Sequence, residues 1–464
     1  MINDKQQYHI SFVLLISAVA AIGGFLFGFD SAVINGTITA LQKAFHSTSV
    51  GTGFSVSSML LGSAVGAFYA GQMADWYGRK KVMLITAALF TISAIGSGIA
   101  IGIWDFVVYR LVGGIAVGAA SVISPAYIAE VSPAHLRGRL GSLQQLAIVI
   151  GIFIAFVSNY LIGMATGSAE APLWFSIPAW RWMFWMEVIP AIVYGVGAWL
   201  IPESPRFLVS IGRLARAAAV FAKIESGDVQ AKVLDIQQTV LKERKPKLSD
   251  LIGKNGMLLP IVWVGMALSL FQQFVGINVV FYYGNVLWQE VGFSEGDSLL
   301  INVITGAINL LTTLLAIAYI DKFGRKPLLL LGSIGMTLTL GIMAFIFTFA
   351  HLDSAGELIL THSQGIVALL GANLYVFCFG FSWGPVVWVM LGEMFNNQIR
   401  GSALSVGAST QWMANFFITI TFPILLTRFG LGTAYGLYTI AAAISFFLVV
   451  FAVRETKGKE LEAM

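Results

Sequence analysis

The sequence predicts an all-α membrane protein with twelve transmembrane helices in two pseudo-symmetric six-helix bundles. Three observations lead there. Of 464 residues, 57% are hydrophobic and 11% charged, with mean hydropathy +0.83. A soluble domain carries about 25% charged residues, so this chain has too little polar surface to cover a water-soluble globule. Apolar runs repeatedly reach the roughly 20 residues a bilayer-spanning helix needs. Finally, one phrase occurs twice: Asp75-Trp76-Tyr77-Gly78-Arg79-Lys80 and Asp321-Lys322-Phe323-Gly324-Arg325-Lys326, each in a basic gap between long apolar stretches. A second echo keeps the same order, with Glu130 seven residues before Arg137-Gly138 and Glu393 seven before Arg400-Gly401. One half is therefore a diverged copy of the other.

The spans fall at roughly 10–35, 54–74, 82–102, 104–130, 139–165 and 180–201, then 257–287, 298–320, 327–350, 364–393, 401–426 and 433–453. Alternate loops separate sharply in charge. Of 27 lysines and arginines, only Lys43, Arg181 and Arg428 fall in one set of loops, and Arg110 lies inside a span. The positive-inside rule then places both termini in the cytoplasm of a multi-pass protein of the plasma (inner) membrane. The division reads as a bundle over 1–201, a cytoplasmic linker over 202–256, and a bundle with a short tail over 257–464. The linker carries helical spacing (Leu208, Leu214, Ala217, Val220, Phe221, Ile224, then Val233, Ile236, Val240, Leu241) with charges opposite, which predicts two to four short amphipathic helices. Breaks are expected at Pro190, Gly276, Gly384-Pro385 and Pro423, where neighbours or a cavity must satisfy the freed backbone groups. A duplicated bundle with a broken-helix centre is the build of a two-sided carrier with one site and two gates.

In the repeated phrase the glycine permits a tight turn, and the arginine at a helix end can pair bidentately with a carboxylate. Glu130 and Glu393 are the natural carboxylates. With Asp75, Arg79, Arg137, Asp321, Arg325 and Arg400 they predict a ring of charges that closes the inner face and breaks when it opens.

These phrases also carry a resemblance. Gly71-x-x-x-Asp75-x-x-Gly78-Arg79-Lys80 resembles the signature of the major facilitator superfamily. Pro202-Glu203-Ser204-Pro205-Arg206 is similar to the mark of its sugar porter family. Tyr109-Arg110-Leu111-Val112-Gly113-Gly114, Phe271-Gln272-Gln273-Phe274-Val275-Gly276-Ile277-Asn278 and Gln411-Trp412-x-x-Asn415 agree further, so the resemblance covers essentially the whole chain. Arg454-Glu455-Thr456-Lys457-Gly458 departs slightly from the family's Pro-Glu-Thr-Lys-Gly. The resemblance implies a twelve-helix major facilitator fold and sugar transport by alternating access.

Polar residues inside the spans specify the cargo. Gln145, Gln272, Gln273, Asn278, Asn309, Gln411 and Asn415 present amides, which donate and accept like the hydroxyls of a sugar. Any single amide could instead be glue between helices. Trp388 and Trp412, with Phe27 and Tyr282 as further walls, would face the C–H side of a pyranose, a role that rests mainly on the resemblance. Ile152 is apolar where a xylose-carrying member of the family has a further amide, which leans toward a hexose such as glucose.

Three charges lie inside the first-half spans: Asp30, Arg110 and Glu187. An isolated charge at mid-bilayer costs about 2.5–3.5 kcal/mol on insertion scales, so these are expected to be paired or functional. Asp30 and Arg110 could neutralise each other, with protonation of Asp30 releasing Arg110 toward Glu187. An aspartate stands at this place in the family's proton-coupled members and an uncharged residue in its facilitative glucose carriers. The leading expectation is a proton–monosaccharide symporter, with a uniporter as the alternative and a non-transporting sugar sensor as a remote third. The partners expected are the sugar, protons and the lipid bilayer, with no nucleic acid and a functional monomer. No cofactor or metal is expected, for the sequence has no Walker loop and no histidine pair with metal spacing. Nor does it hold a nucleophile–histidine arrangement of an enzyme. Asn35-Gly36-Thr37 is formally a glycosylation acceptor but sits too close to a span to be reached.

Overall fold

The structure is a computed structural model and describes residues 7–133, 136–226, 228–242, 248–253, 255–352, 358–395 and 399–457. Of Arg137, Asp321 and Arg400 only the backbone is described. The spans are α1 (Ile10–Gly36), α2 (Val50–Tyr77), α3 (Arg79–Ile99), α4 (Ile103–Val131), α5 (Leu140–Thr166), α6 (Ala179–Leu200), α7 (Pro260–Glu290), α8 (Glu295–Ile320), α9 (Arg325–Thr348) and α10 (His362–Glu393). The last apolar stretch, Gly401–Ala452, divides at Gly430 (φ +78°, ψ 168°) into α11 (401–429) and α12 (431–452). The result is twelve spans.

Within the first six spans, α2 packs on α4 and α1 on α5; within the last six, α9 packs on α10 and α12. Small residues set these distances. Along the α2–α4 seam Gly62, Gly66, Gly114 and Gly118 face carbonyls of the partner helix, and a Cβ at Gly114 would lie 1.9 Å from the Met59 oxygen. The broadest contacts between the two sets are α2 with α11, where Gly53 faces the Ile420 carbonyl, and α5 with α8, where Gly306 meets Phe153 and Phe156.

The breaks follow the freed-backbone rule, with one correction. α6 is interrupted between Trp185 and Val188, α7 at Gly276 (φ +85°), and α10 between Gly380 and Trp383. The expected break at Pro423 does not occur, and α11 runs through it. Pro423 lacks the N–H that would bond the Thr419 carbonyl, and the Tyr283 hydroxyl donates to that carbonyl instead (3.0 Å). A neighbouring helix thus repairs the ladder, and the chain turns at Gly430.

The repeated phrase forms two equivalent helix starts. α2 ends at Tyr77 and α3 begins at Arg79 across Gly78 (φ +93°); the helix that carries α8 continues past the span to Phe323, and α9 begins at Arg325 across Gly324 (φ +88°). A carboxylate caps each start. Glu203 accepts from the Arg79 (2.9 Å), Lys80 (3.2 Å) and Ser204 (2.8 Å) amides. Glu455 accepts from Arg325 (3.0 Å), Lys326 (2.9 Å), Thr456 (3.0 Å) and Lys457 (2.9 Å). Burial raises the Glu203 carboxyl above its ordinary value, whereas at Glu455 burial is outweighed by the four amides, which lower it. The sequence reading gives neither carboxylate a role. The signal is there, since Pro202-Glu203-Ser204 and Arg454-Glu455-Thr456 are a third echo.

Gly78→Ala tests this arrangement. Its Cβ would sit 2.2 Å from the Glu203 carboxylate at a φ that L residues avoid. A loss of roughly 1–3 kcal/mol is expected, read as a lower thermal midpoint in detergent; an unchanged midpoint would contradict the capped turn.

Residues between α6 and α7 form helices at Pro205–Ser210, Leu214–Ile224 and Val229–Lys242, burying Leu208, Ala217, Val220, Phe221, Ile224 and Val233. Gln7–Tyr8 pairs antiparallel with Glu225–Ser226. This segment, both described ends of the chain and the two phrases lie on one face, the basic face.

Candidate substrate site

A cavity of about 310 Å³ lies between the first six and last six spans, a size suited to a small ligand. Every amide and aromatic residue expected at the site lines it: Gln145 from α5; Gln272, Gln273, Asn278 and Tyr282 from α7; Asn309 from α8; Trp388 from α10; Gln411, Trp412 and Asn415 from α11; and Phe27 from α1. Among the described residues lining it, none is charged. The breaks explain the gathering, because α7 and α10 change direction at Gly276 and Ser382 and bring side chains from both segments to one place.

The amides are joined to one another. Gln272 Nε2 donates to the Trp383 (2.9 Å) and Gly384 (3.1 Å) carbonyls, tying α7 to the α10 break. Gln272 Oε1 accepts from Gln411 and from Gln273 Nε2 (3.4 Å), and Gln273 Oε1 accepts from Asn278 across the α7 break. Asn415 donates to the Tyr282 hydroxyl (3.3 Å) and accepts from Thr419 (3.1 Å). Phe27 and Trp412 lie with ring centroids 5.6 Å apart. Sequence reasoning misses Gln144. It is buried, lines the cavity beside Gln145, and neither of its amide atoms has a protein partner among the described residues. Only its being a second amide inside an apolar span could have marked it.

The cavity opens toward the basic face, where Gly141 borders it with open space around its Cα and Trp388 is 40% exposed. The opposite face is closed by hydrogen bonds between the two sets of spans: Asn35 donates to Phe281 and accepts from Asn285 and Asn302, and the Ala169 amide donates to Glu295 (2.9 Å).

Of the charges expected as one ring, the described ones fall in two places. Arg79 pairs with Glu130 (2.9 Å) and Asp75 (3.5 Å); Arg325 pairs with Glu393 (2.8 Å), which also accepts from Thr456 (2.6 Å). The described pairs each lie within one set of six spans. The Arg137, Asp321 and Arg400 side chains lie outside the described residues.

Asp30, Arg110 and Glu187 meet in the core of the first six spans, each at most 1% exposed. Arg110 Nη1 donates to Asp30 Oδ1, and Nη2 to the Asp30 carbonyl (3.1 Å). The break in α6 places Glu187 at a helix end beside this pair. Asp30 Oδ2 and both Glu187 oxygens have no hydrogen-bond partner among the described residues. Tyr282, at the cavity wall, lies within electrostatic reach of both Arg110 and Asp30. Asp105, by contrast, caps α4 through the Gly102 (2.8 Å) and Ile101 (2.7 Å) amides. Asn35 is 1% exposed with its amide engaged, which agrees with a glycosylation motif out of reach.

A twelve-span bundle with a neutral, amide-lined central cavity open to one face defines a membrane carrier for an uncharged polar solute. The family profile described as "Sugar (and other) transporter" matches residues 16–464, and the chain belongs to this family of transporters. It is 64% identical over 462 residues to the "Glucose transport protein" of Synechocystis sp., covering 99% of this chain and 98% of that protein. It is 38% identical over 491 residues to the "D-xylose-proton symporter" of Escherichia coli strain K12, covering 99% and 96%. A partially occluded inward open structure of the xylose transporter from E. coli superposes with TM-score 0.83 at 35% identity, covering 97% of this chain and 100% of that one. The proton:xylose symporter bound to 6-bromo-6-deoxy-D-glucose gives 0.80 at 37%, covering 98% and 99%.

Proposed function

We propose that this chain is a proton-coupled monosaccharide symporter working by alternating access, with glucose or a similar hexose as cargo. The observation that carries the reading is the buried Asp30–Arg110–Glu187 cluster beside an uncharged amide cavity. Two carboxyls and one guanidinium in a dry core leave one negative charge in excess, a costly state unless a proton resides on a carboxyl. Protonating Asp30 frees Arg110 to turn to Glu187, and deprotonation draws it back. Phe27 and Ser31 flank Asp30 on α1 and line the cavity, so a movement of α1 driven by this exchange is felt by the sugar.

In this reading the chain works as a monomer in the inner membrane, with the basic face cytoplasmic and units 1–201 and 257–464 rocking about the cavity while 202–256 joins them. The clusters of Arg79 and Arg325 then belong to the inner gate, and the structure corresponds to its open state. The amides of Gln272, Gln273, Asn278, Gln411 and Asn415 exchange their mutual bonds for sugar hydroxyls, and Trp412 covers the apolar sugar face. The test is sugar-driven proton uptake in proteoliposomes; absence of proton movement together with absence of uphill sugar uptake would overturn symport in favour of facilitated uniport.

Ile152 lines the cavity, so Ile152→Gln is expected to bring xylose binding at least threefold closer to glucose binding, measured by competition. An unchanged ratio removes Ile152 from sugar selection.

A further inference from the structure

Asn35 stands at the outer end of α1, and its amide makes three bonds that all reach the other set of spans. Nδ2 donates to the Phe281 carbonyl (2.8 Å), and Oδ1 accepts from the Asn285 amide (2.9 Å) and from Asn302 Nδ2 (3.0 Å). Phe281 and Asn285 are one helical turn apart, so their carbonyl and amide are the natural partners of one rung of the α7 ladder. A single side chain therefore engages both ends of that rung. Two glycines make the approach possible. A Cβ at Gly284 would lie 2.3 Å from Asn302 Oδ1, and one at Gly36 would lie 2.6 Å from Asn159 Nδ2.

The gripped segment is built as a lever. Gly276 (φ +85°) separates 277–290 from the rest of α7, and the Tyr375 hydroxyl caps the Val275 carbonyl at the break (2.7 Å). The Gln273–Asn278 bond bridges that same break, joining the cavity to the base of the lever. Asn35 itself is not among the residues lining the cavity.

We propose that Asn35 is a positioning residue for transport, the latch of the outer gate: its amide holds the α7 lever shut by bonding both ends of the Phe281–Asn285 rung. When it withdraws, the Phe281 carbonyl and Asn285 amide keep to the helix ladder and the freed side chain is hydrated, so both arrangements leave the α7 peptide groups paired. An element satisfied in two arrangements is what a switch requires. The closed arrangement is not overbuilt, since Asn285 Oδ1 and Asn159 Oδ1 are buried without partners among the described residues.

The test is hydrogen–deuterium exchange on the full-length protein in proteoliposomes, with Asn35→Ala compared to the parent. Losing three bonds is expected to accelerate exchange in 281–290 by about tenfold or more, with exchange in 260–274 unchanged, glucose Kd within twofold and net uptake slowed. A purely structural role would weaken sugar binding or loosen all of α7 together, and either result overturns the proposal, as does unchanged exchange in 281–290. Asn302→Ala, which removes one of the three donors, serves where Asn35→Ala does not fold; it is expected to give the same pattern at roughly a third of the logarithmic shift, and no acceleration confined to 281–290 counts against the latch.

Discussion

Asp30→Asn is expected to abolish sugar accumulation while preserving sugar exchange. Asparagine keeps the shape and an oxygen acceptor for Arg110, so the pair's geometry survives. What it removes is the titratable charge. The cluster then holds one guanidinium and the Glu187 carboxylate, is neutral without a bound proton, and carries none across. A membrane potential of 100 mV supplies about 2.3 kcal/mol per charge, which sustains roughly a fiftyfold sugar gradient for one proton per sugar. The parent should approach such a ratio in energised vesicles, and the variant should stop near equality. Exchange of labelled for unlabelled sugar should persist at a comparable rate, and Kd should change by only a few-fold, because Asp30 lies behind the cavity wall. A variant that still accumulates sugar would remove Asp30 from coupling.

Gln272→Ala and Gln273→Ala should each raise the glucose Kd at least about tenfold, because a buried hydroxyl or amide left without its partner costs about 1–3 kcal/mol. The two differ in what else they release. Among the described residues the Gln273 side chain bonds only other cavity amides, one of them across the α7 break, so its loss should appear chiefly in binding. Gln272 also holds the Trp383 and Gly384 carbonyls at the α10 break, so its loss should lower the thermal midpoint as well. Titration followed by tryptophan fluorescence reads the first effect through Trp388 and Trp412, and thermal unfolding in detergent reads the second. Unchanged binding in both variants would sink the proposed site; equal midpoints would reject the tie to α10.

Much of this is legible in the sequence because membranes impose strong local rules. Span length, loop charge and the duplicated Asp75 and Asp321 phrases each act over short stretches, and together they yield twelve helices and their order. The cavity amides are legible because an uncompensated polar group inside an apolar span needs a reason. Partnerships that depend on distant approach are not. Glu203 and Glu455 cap helices that begin more than a hundred residues earlier, and an isolated carboxylate after a span does not announce its acceptor role. Pro423 reads as a breaker until Tyr283 is seen to satisfy Thr419, a contact between two helices far apart in sequence. Gln144 escapes notice beside Gln145 because adjacent helix positions point about 100° apart, and only the fold shows that both line the cavity. Asn35 reads only as a glycosylation acceptor, since nothing local ties it to the α7 backbone.

In the proposed cycle sugar and proton cross together through a neutral cavity backed by a buried charge cluster. The most direct measurement is external pH in a lightly buffered suspension of cells or proteoliposomes when glucose is added. Coupled transport predicts prompt external alkalinisation that depends on the sugar and is collapsed by a protonophore. Sugar entry with no pH change, and no uptake against a gradient, would contradict it.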